Sequence, residues 1–186
     1  MALFTERAIQ ESFIRLLNER PLDKITIKDI AEDCGINRNT FYYHYEDLHA
    51  LLVHILNAES QRVLAGHIDM ESWEDGFISA AQFALENKRL VYHIYNSVRR
   101  EEVERYLNNI AAGVMRQYVN TVSEHIAVRE EDKELIVNFY RAALVGMIVD
   151  WLNAGMKYDP VELIRRTGVM LRGNIESALE RMKQEN

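Results

Sequence analysis

A chain of 186 residues, 48% of them apolar, can bury one large or two small cores. Its formal net charge of −7 argues against general affinity for nucleic acid or anionic membrane, so any DNA contact has to be local and geometric. One cysteine, Cys34, excludes an internal disulfide and fits a reducing compartment.

The N-terminus MALFTER reaches charge at Glu6 before an apolar leader can develop, so no signal peptide is expected. Ile9, Phe13, Leu16 and Leu17 recur at helical spacing and predict a helix from about Thr5 to Arg20, closed by Pro21. Lys24 to Ile27 carries only a weak strand pattern. Thr26 with Asp29 three residues on is an acidic form of the capping box, and Ile27, Ile30, Ala31 and Cys34 follow at helical spacing. Gly35 can take a positive φ and turn the chain sharply, while Ala31 is small enough for a following helix to pack closely. Asn37 then caps a second helix through Tyr45, with Phe41 and Tyr45 sharing a core-facing side. Tyr42 and Tyr43 cannot both turn inward beside them on so short a helix. With Arg38 and Asn39 adjacent, contact with DNA is the better account of that polar and aromatic side.

Asp47 can cap a long helix from about Leu48 to Ala65, on which Leu51, Leu52, Ile55, Leu56 and Val63 keep helical spacing. Gly66 to Glu71 reads as a linker. Ser72 with Asp75 opens a helix carrying Trp73, Phe77, Ala80, Ala81, Phe83 and Ala84, and after a break near Asn87 a short one carries Leu90, Val91, Ile94 and Tyr95. The pattern from about Arg99 to Ile126 implies ~40 Å of helix. From Leu135 to Leu152 apolar residues lie on nearly every face, so that helix must be covered on both sides. Its longest unbroken apolar run, Ala142 to Val149, is too short to span a bilayer, and no membrane association is expected.

Asp159 and Pro160 open a final helix, on which Ile164, Gly168, Leu171, Ile175, Leu179 and Met182 form a packing seam. Gly146 and Gly168, each inside a predicted helix, would let backbones approach closely. Two such helices from each of two chains would make an antiparallel four-helix interface with two-fold symmetry. Ile164, Gly168, Leu171, Ile175 and Leu179 are therefore the expected dimer contacts, and the alternative is that the seam closes an internal bundle.

Catalysis finds little support. Glu46 and His49 match one Glu-x-x-His element of a di-iron bundle, which needs two such elements and two further glutamates. His44, His49 and His54 lie five apart, not the four that puts two imidazoles on one helical face. There is no phosphate-cradling glycine loop and no nucleophile elbow. No enzyme activity, metal or cofactor is expected.

The run Thr26 to Tyr45, with Phe13 and Leu16 before it and Leu51 and Leu52 after it, resembles the DNA-binding domain of TetR-type transcriptional regulators. The resemblance covers about the first third of the chain and is architectural beyond it. It implies an all-α protein of about nine helices: a three-helix helix-turn-helix domain over residues 1–47 and a regulatory and dimerisation bundle over 48–186. It further implies that Thr40, Tyr42 and His44 hold phosphates and that Arg38, Asn39 and Tyr43 face base edges, with Thr26, Lys28 and Asn37 completing the DNA-facing set. That division is physically sound, because phosphate contacts set register while Arg reads a guanine edge and Asn an adenine edge.

Two departures stand out. Leu48 occupies the position where such regulators usually carry a phosphate-binding Lys. Residues 1–54 hold six basic side chains against nine carboxylates, a net −3 with His neutral, so a shallow salt dependence is expected.

Regulators of this type usually bind an inducer inside the second domain. Trp73, Phe77, Met115, Tyr118, Phe139, Tyr140, Met147 and Trp151 are the large side chains available to line such a site, or equally to fill the core. The implied protein is a cytoplasmic homodimer acting on double-stranded DNA, a repressor relieved by a small-molecule inducer. The alternative is a co-regulator or activator controlled by a protein partner, as in activators of dihydroxyacetone-kinase operons.

Overall fold

A computed structural model describes residues 2–65, 73–97 and 100–183. Among these residues there is no strand, and ten α-helices occur: α1 (Ala2–Glu19), α2 (Ile27–Asp33), α3 (Arg38–His44), α4 (Leu48–Ala65), α5 (Trp73–Glu86), α6 (Lys88–Tyr95), α7 (Arg100–Val122), α8 (Glu130–Asn153), α9 (Pro160–Leu171) and α10 (Asn174–Arg181). The weak strand pattern before Ile27 is a 3₁₀ turn, Leu22–Lys24. The expected linker Gly66 to Glu71, Ser72 and Arg99 lie outside the described residues.

Backbone packing divides the chain into one unit of Met1–Glu59 with Glu86–Val103 and a second of Ser60–Leu85 with Glu104–Asn186. This packing boundary does not follow the expected functional division at residue 47. The first part of α4 and all of α6 pack with the N-terminal helices.

The first unit is built on Ile9, Phe13 and Leu17 of α1, Ile30 of α2, Phe41 of α3 and Leu51 and Leu52 of α4, none more than 1% exposed. Helix α6 lies on α1, where His93 Nδ1 is 2.6 Å from the Leu17 carbonyl oxygen. That carbonyl belongs to the last turn of α1, where no intrahelical donor is left for it, so the imidazole satisfies a helix end.

In the second unit the core joins Trp73 and Phe77 of α5, Met115 and Val119 of α7, Tyr140 and Leu144 of α8, Ile164 of α9 and Leu179 of α10. Helix α8 begins with three acidic residues and ends in a Schellman turn. There Gly155 takes φ +72°, and Met156 N–H donates to the Trp151 carbonyl at 3.0 Å. By length and composition alone α8 could cross a membrane, with a mean hydropathy of 1.5. Seven of its residues are core-buried instead, from Ile136 to Leu152.

One expectation about the C-terminal helices is corrected, and the burial of the expected interface residues bears on another. The final helix is not continuous: Gly173 takes φ +74°, a left-handed conformation that no α-helix continues through, and the seam is divided between α9 and α10. The expected interface residues also face their own chain. Ile164, Gly168, Ile175 and Leu179 are buried and Leu171 packs against the same core, so the seam closes an internal bundle. A Cβ at Gly168 would meet the end of the Glu74 side chain from α5, which would have to shift. Gly146 meets nothing within 4 Å and opens outward, on the same side of α8 as exposed Leu135 and Phe139.

Candidate nucleic-acid interface

The helix-turn-helix is assembled by local chemistry that the sequence states residue by residue. Thr26 Oγ1 accepts from the Asp29 N–H at 3.2 Å while Asp29 Oδ2 accepts from the Thr26 N–H at 2.8 Å, so both partners of the capping box are in place. Donation to Oδ2 from the Thr26 hydroxyl at 2.7 Å, and then from the Thr26 N–H, holds the Asp29 carboxyl below the usual carboxylate range. Gly35, at φ +69°, ends α2: Ile36 N–H reaches back to the Ala31 carbonyl at 2.9 Å and Gly35 N–H to that of Glu32 at 3.4 Å. Asn37 Oδ1 then accepts from the Thr40 N–H at 2.8 Å and from its hydroxyl at 3.1 Å, and α3 begins.

Helix α3 has one dry side and one wet side. Phe41 is fully buried and Tyr45, just past the helix, is 6% exposed; the Tyr45 hydroxyl accepts from Gln10 Nε2 at 2.8 Å and donates to Glu6 at 3.2 Å. Burial is the main cause that pushes the Tyr45 phenol up from its ordinary range. Tyr42 is 55% exposed, Tyr43 is 82% exposed, and Arg38 and Asn39 are exposed with them. Two phenolic rings left in water on a seven-residue helix are anomalous for a folded core and ordinary for a surface that meets a ligand.

An open groove of ≈ 580 Å³ runs beside this helix, lined by Thr26, Ile27, Lys28, Arg38, Tyr42, Asp47, Leu48 and His49. It brings together four of the residues expected to face DNA: Thr26, Lys28, Arg38 and Tyr42. Asn39 and Tyr43 are exposed elsewhere on α3, and Asn37 and Thr40 are engaged in capping each other. His44 is half-buried in the last turn, its ring 5.3 Å from that of Tyr43. Asp47 does cap α4, accepting from the Ala50 N–H at 2.7 Å, which puts a carboxylate at the rim of the groove beside Leu48.

His49 was not anticipated in this wall. Its Nε2 lies 3.5 Å from Oε1 of Glu102, a residue only 8% exposed. No sequence signal joins positions 49 and 102, because the contact is long-range.

The electrostatics are sparse. Arg7 pairs with Glu11 at 2.8 Å, Arg15 with Asp33, Arg20 with Asp29 at 3.4 Å and Lys28 with Glu32 at 3.6 Å. Lys24 and Arg38 have no such partner among the described residues.

The side chains expected to line a ligand site fall in three groups. Trp73, Phe77, Met115 and Tyr140 are buried together in the second unit's core, and Trp151 is buried with its indole N–H donating to the Tyr158 carbonyl at 2.8 Å. Tyr118 and Met147 are half-buried. Phe139 is 68% exposed and lines nothing internal, because the helical step that turns Tyr140 inward turns its neighbour out.

Comparison with known proteins agrees with this construction. Residues 13–55 match the family described as "Bacterial regulatory proteins, tetR family", and residues 71–173 match "Transcriptional regulator C-terminal region". The tetracycline repressor protein class D of Escherichia coli is 31% identical over 80 residues, 40% of this chain and 35% of that one. The HTH-type transcriptional regulator YxbF of Bacillus subtilis (strain 168) is 25% identical over 170 residues, 87% of this chain and 43% of its own. The chain thus spans well under half the length of these curated relatives. Among solved structures, the dihydroxyacetone kinase operon activator DhaS has the same fold, with a TM-score of 0.74 at 15% identity over 98% of this chain and 99% of that one. The fatty acid degradation regulator FadR from Bacillus halodurans aligns with a TM-score of 0.57 at 13% identity over 95% of this chain and 94% of its own. With both family matches in sequence and a helix-turn-helix formed by the residues that carry the first of them, the chain belongs to the TetR family of bacterial transcriptional regulators.

Proposed function

We propose that the protein is a cytoplasmic, homodimeric, sequence-specific repressor that sets one α3 from each chain into successive major grooves of a pseudo-palindromic operator. The observation that carries this reading is the water-facing side of α3, where Arg38, Asn39, Tyr42 and Tyr43 stand exposed beside a groove rimmed by Thr26 and Lys28. Arg38, Asn39 and Tyr43 read base edges, while Thr40, Tyr42, His44, Thr26 and Lys28 set register on phosphates. The two recognition helices would be about one helical turn apart, ~34 to 36 Å.

Dimerisation is supported by the outward face of the C-terminal helices. Leu135 and Phe139 of α8 and Val169 and Met170 of α9 are each at least 59% exposed, and the small residues Ala142, Ala143 and Gly146 lie open along α8. A second copy covering this face would satisfy the two-sided apolarity of α8. A small molecule held within the second unit would favour one separation of the recognition helices over another and so release the operator.

A second reading is a regulator that needs a protein partner to hold DNA. It is favoured by the paired arginines, the acidic Asp47 and the apolar Leu48 at the rim, and it would suit a fold shared with an operon activator. Fluorescence anisotropy of the purified protein on the DNA flanking its own gene, across a salt series with unrelated DNA as competitor, separates the two. Saturable binding with two chains per site supports the repressor; absence of specific binding at low salt overturns it and leaves the partner-dependent reading.

A further inference from the structure

The second unit contains an acceptor without a donor. Glu176, in the first turn of α10, accepts the Tyr118 hydroxyl at 2.7 Å through Oε1, while its Oε2 is closed off from solvent and has no hydrogen-bond partner. No Lys, Arg or His pairs with this carboxylate among the described residues. Burying a carboxylate oxygen without a donor is strongly unfavourable, and polar groups in natural interiors are overwhelmingly hydrogen-bonded.

The surroundings specify what would fill it. Tyr118 is held protonated above its ordinary range by burial, by the Glu176 hydrogen bond and charge, and by the charge of Glu74; Tyr140 is raised by burial and by Glu176. Two carboxylates and two neutral phenols therefore share one neighbourhood, and Tyr140 also belongs to the core that Trp73 and Phe77 enter from α5. An anion would be repelled there. A neutral alcohol could donate to Oε2 and leave the charge uncompensated. A protonated amine supplies both the donor and the charge, and aromatic faces favour a cation and bury its apolar part.

We propose that Glu176, fixed by Tyr118 and backed by Glu74, is the counter-ion of a binding site for an organic ammonium ligand with an apolar body. This rests on the ligand-controlled reading above and names its ligand class. Tyr118 is a positioning residue: its O–H holds one carboxylate oxygen so that the other faces the ligand.

Titration calorimetry of the full chain with three matched probes, 2-phenylethylammonium, 2-phenylethanol and 3-phenylpropionate, tests it. The ammonium should bind at least about tenfold more tightly than either of the others. Glu176→Gln should erase that preference while leaving phenylethanol affinity unchanged. Tyr118→Phe, which keeps the ring, should weaken the ammonium alone, and it decides the matter if Glu176→Gln does not fold by circular dichroism. Equal binding of all three, no binding of the ammonium, or an undiminished preference in Glu176→Gln overturns the assignment. The same probes added to the protein–DNA complex separate the two claims. Release of DNA by the alcohol or the acid alone sinks the cation class and keeps ligand control, whereas a protein that never holds its flanking DNA sinks the regulator reading itself.

Discussion

The salt dependence of operator binding can be worked from the ion pairs. Of six basic side chains in residues 1–54, Arg7, Arg15 and Arg20 already face carboxylates of the same unit and Arg38 is assigned to a base edge, leaving Lys24 and Lys28, whose pair with Glu32 is exposed and long at 3.6 Å, to meet phosphate. Two chains then neutralise about four phosphates, and log K should fall against log salt with a slope of about −3.6. Raising salt from about 50 to 200 mM would cut affinity roughly 150-fold, and Lys24→Ala would flatten the slope to about −1.8 and the loss to roughly 12-fold. Fluorescence anisotropy on a cognate duplex measures both. A slope near −8 in the wild type would refute the reasoning, since it would require the paired arginines to leave their carboxylates for DNA.

Arg38→Ala should weaken binding at the cognate site by ~1 to 3 kcal/mol and relax discrimination at one base pair, and an unchanged competition titration would remove Arg38 from the base-reading set. Thr26→Ala, which deletes the cap of α2, should lower stability in urea by about 1 kcal/mol with no change in m-value. Phe139→Arg with Met170→Glu should yield a monomer by light scattering with an unaltered helical spectrum, whereas Leu179→Ala should lower stability by ~2 to 5 kcal/mol from within each chain. A dimer that survives the first pair places the interface elsewhere. Tyr45, Tyr118 and Tyr140 all have folded pKa values above the ordinary phenol value, so the stability they contribute is complete below about pH 10 and is lost as pH rises through the folded values. Absorbance at alkaline pH should show their ionisation coinciding with unfolding, and independent titration of all nine tyrosines before unfolding would contradict this.

The local devices were legible in the sequence because each is written in consecutive residues. Thr26 with Asp29, Gly35, Asn37, Asp47, and Asp159 with Pro160 all form the caps and turns that their chemistry dictates. Direction was less legible. Helix α8 is apolar on nearly every side, so periodicity alone cannot say that Tyr140 turns in and Phe139 out. The seam from Ile164 to Leu179 has the spacing of an interface and the burial of a core, and only the left-handed Gly173 inside it betrays that it bends round its own bundle. Contacts between distant positions, His49 with Glu102 and Tyr118 with Glu176, leave no mark on the linear pattern.

The N-terminal unit is discontinuous along the chain, since residues 86–103 complete what residues 1–59 begin. During synthesis the first three helices emerge early, yet the surface of α1 that receives α6 stays uncovered until about a hundred residues have been made. A fragment ending at the close of α4 would carry the whole helix-turn-helix with that apolar surface bare, and would aggregate or bind a chaperone rather than read DNA. Completion of the N-terminal unit is thereby made to wait for α6, so a chain truncated before residue 86 would lack part of the packing on which its first helices rest.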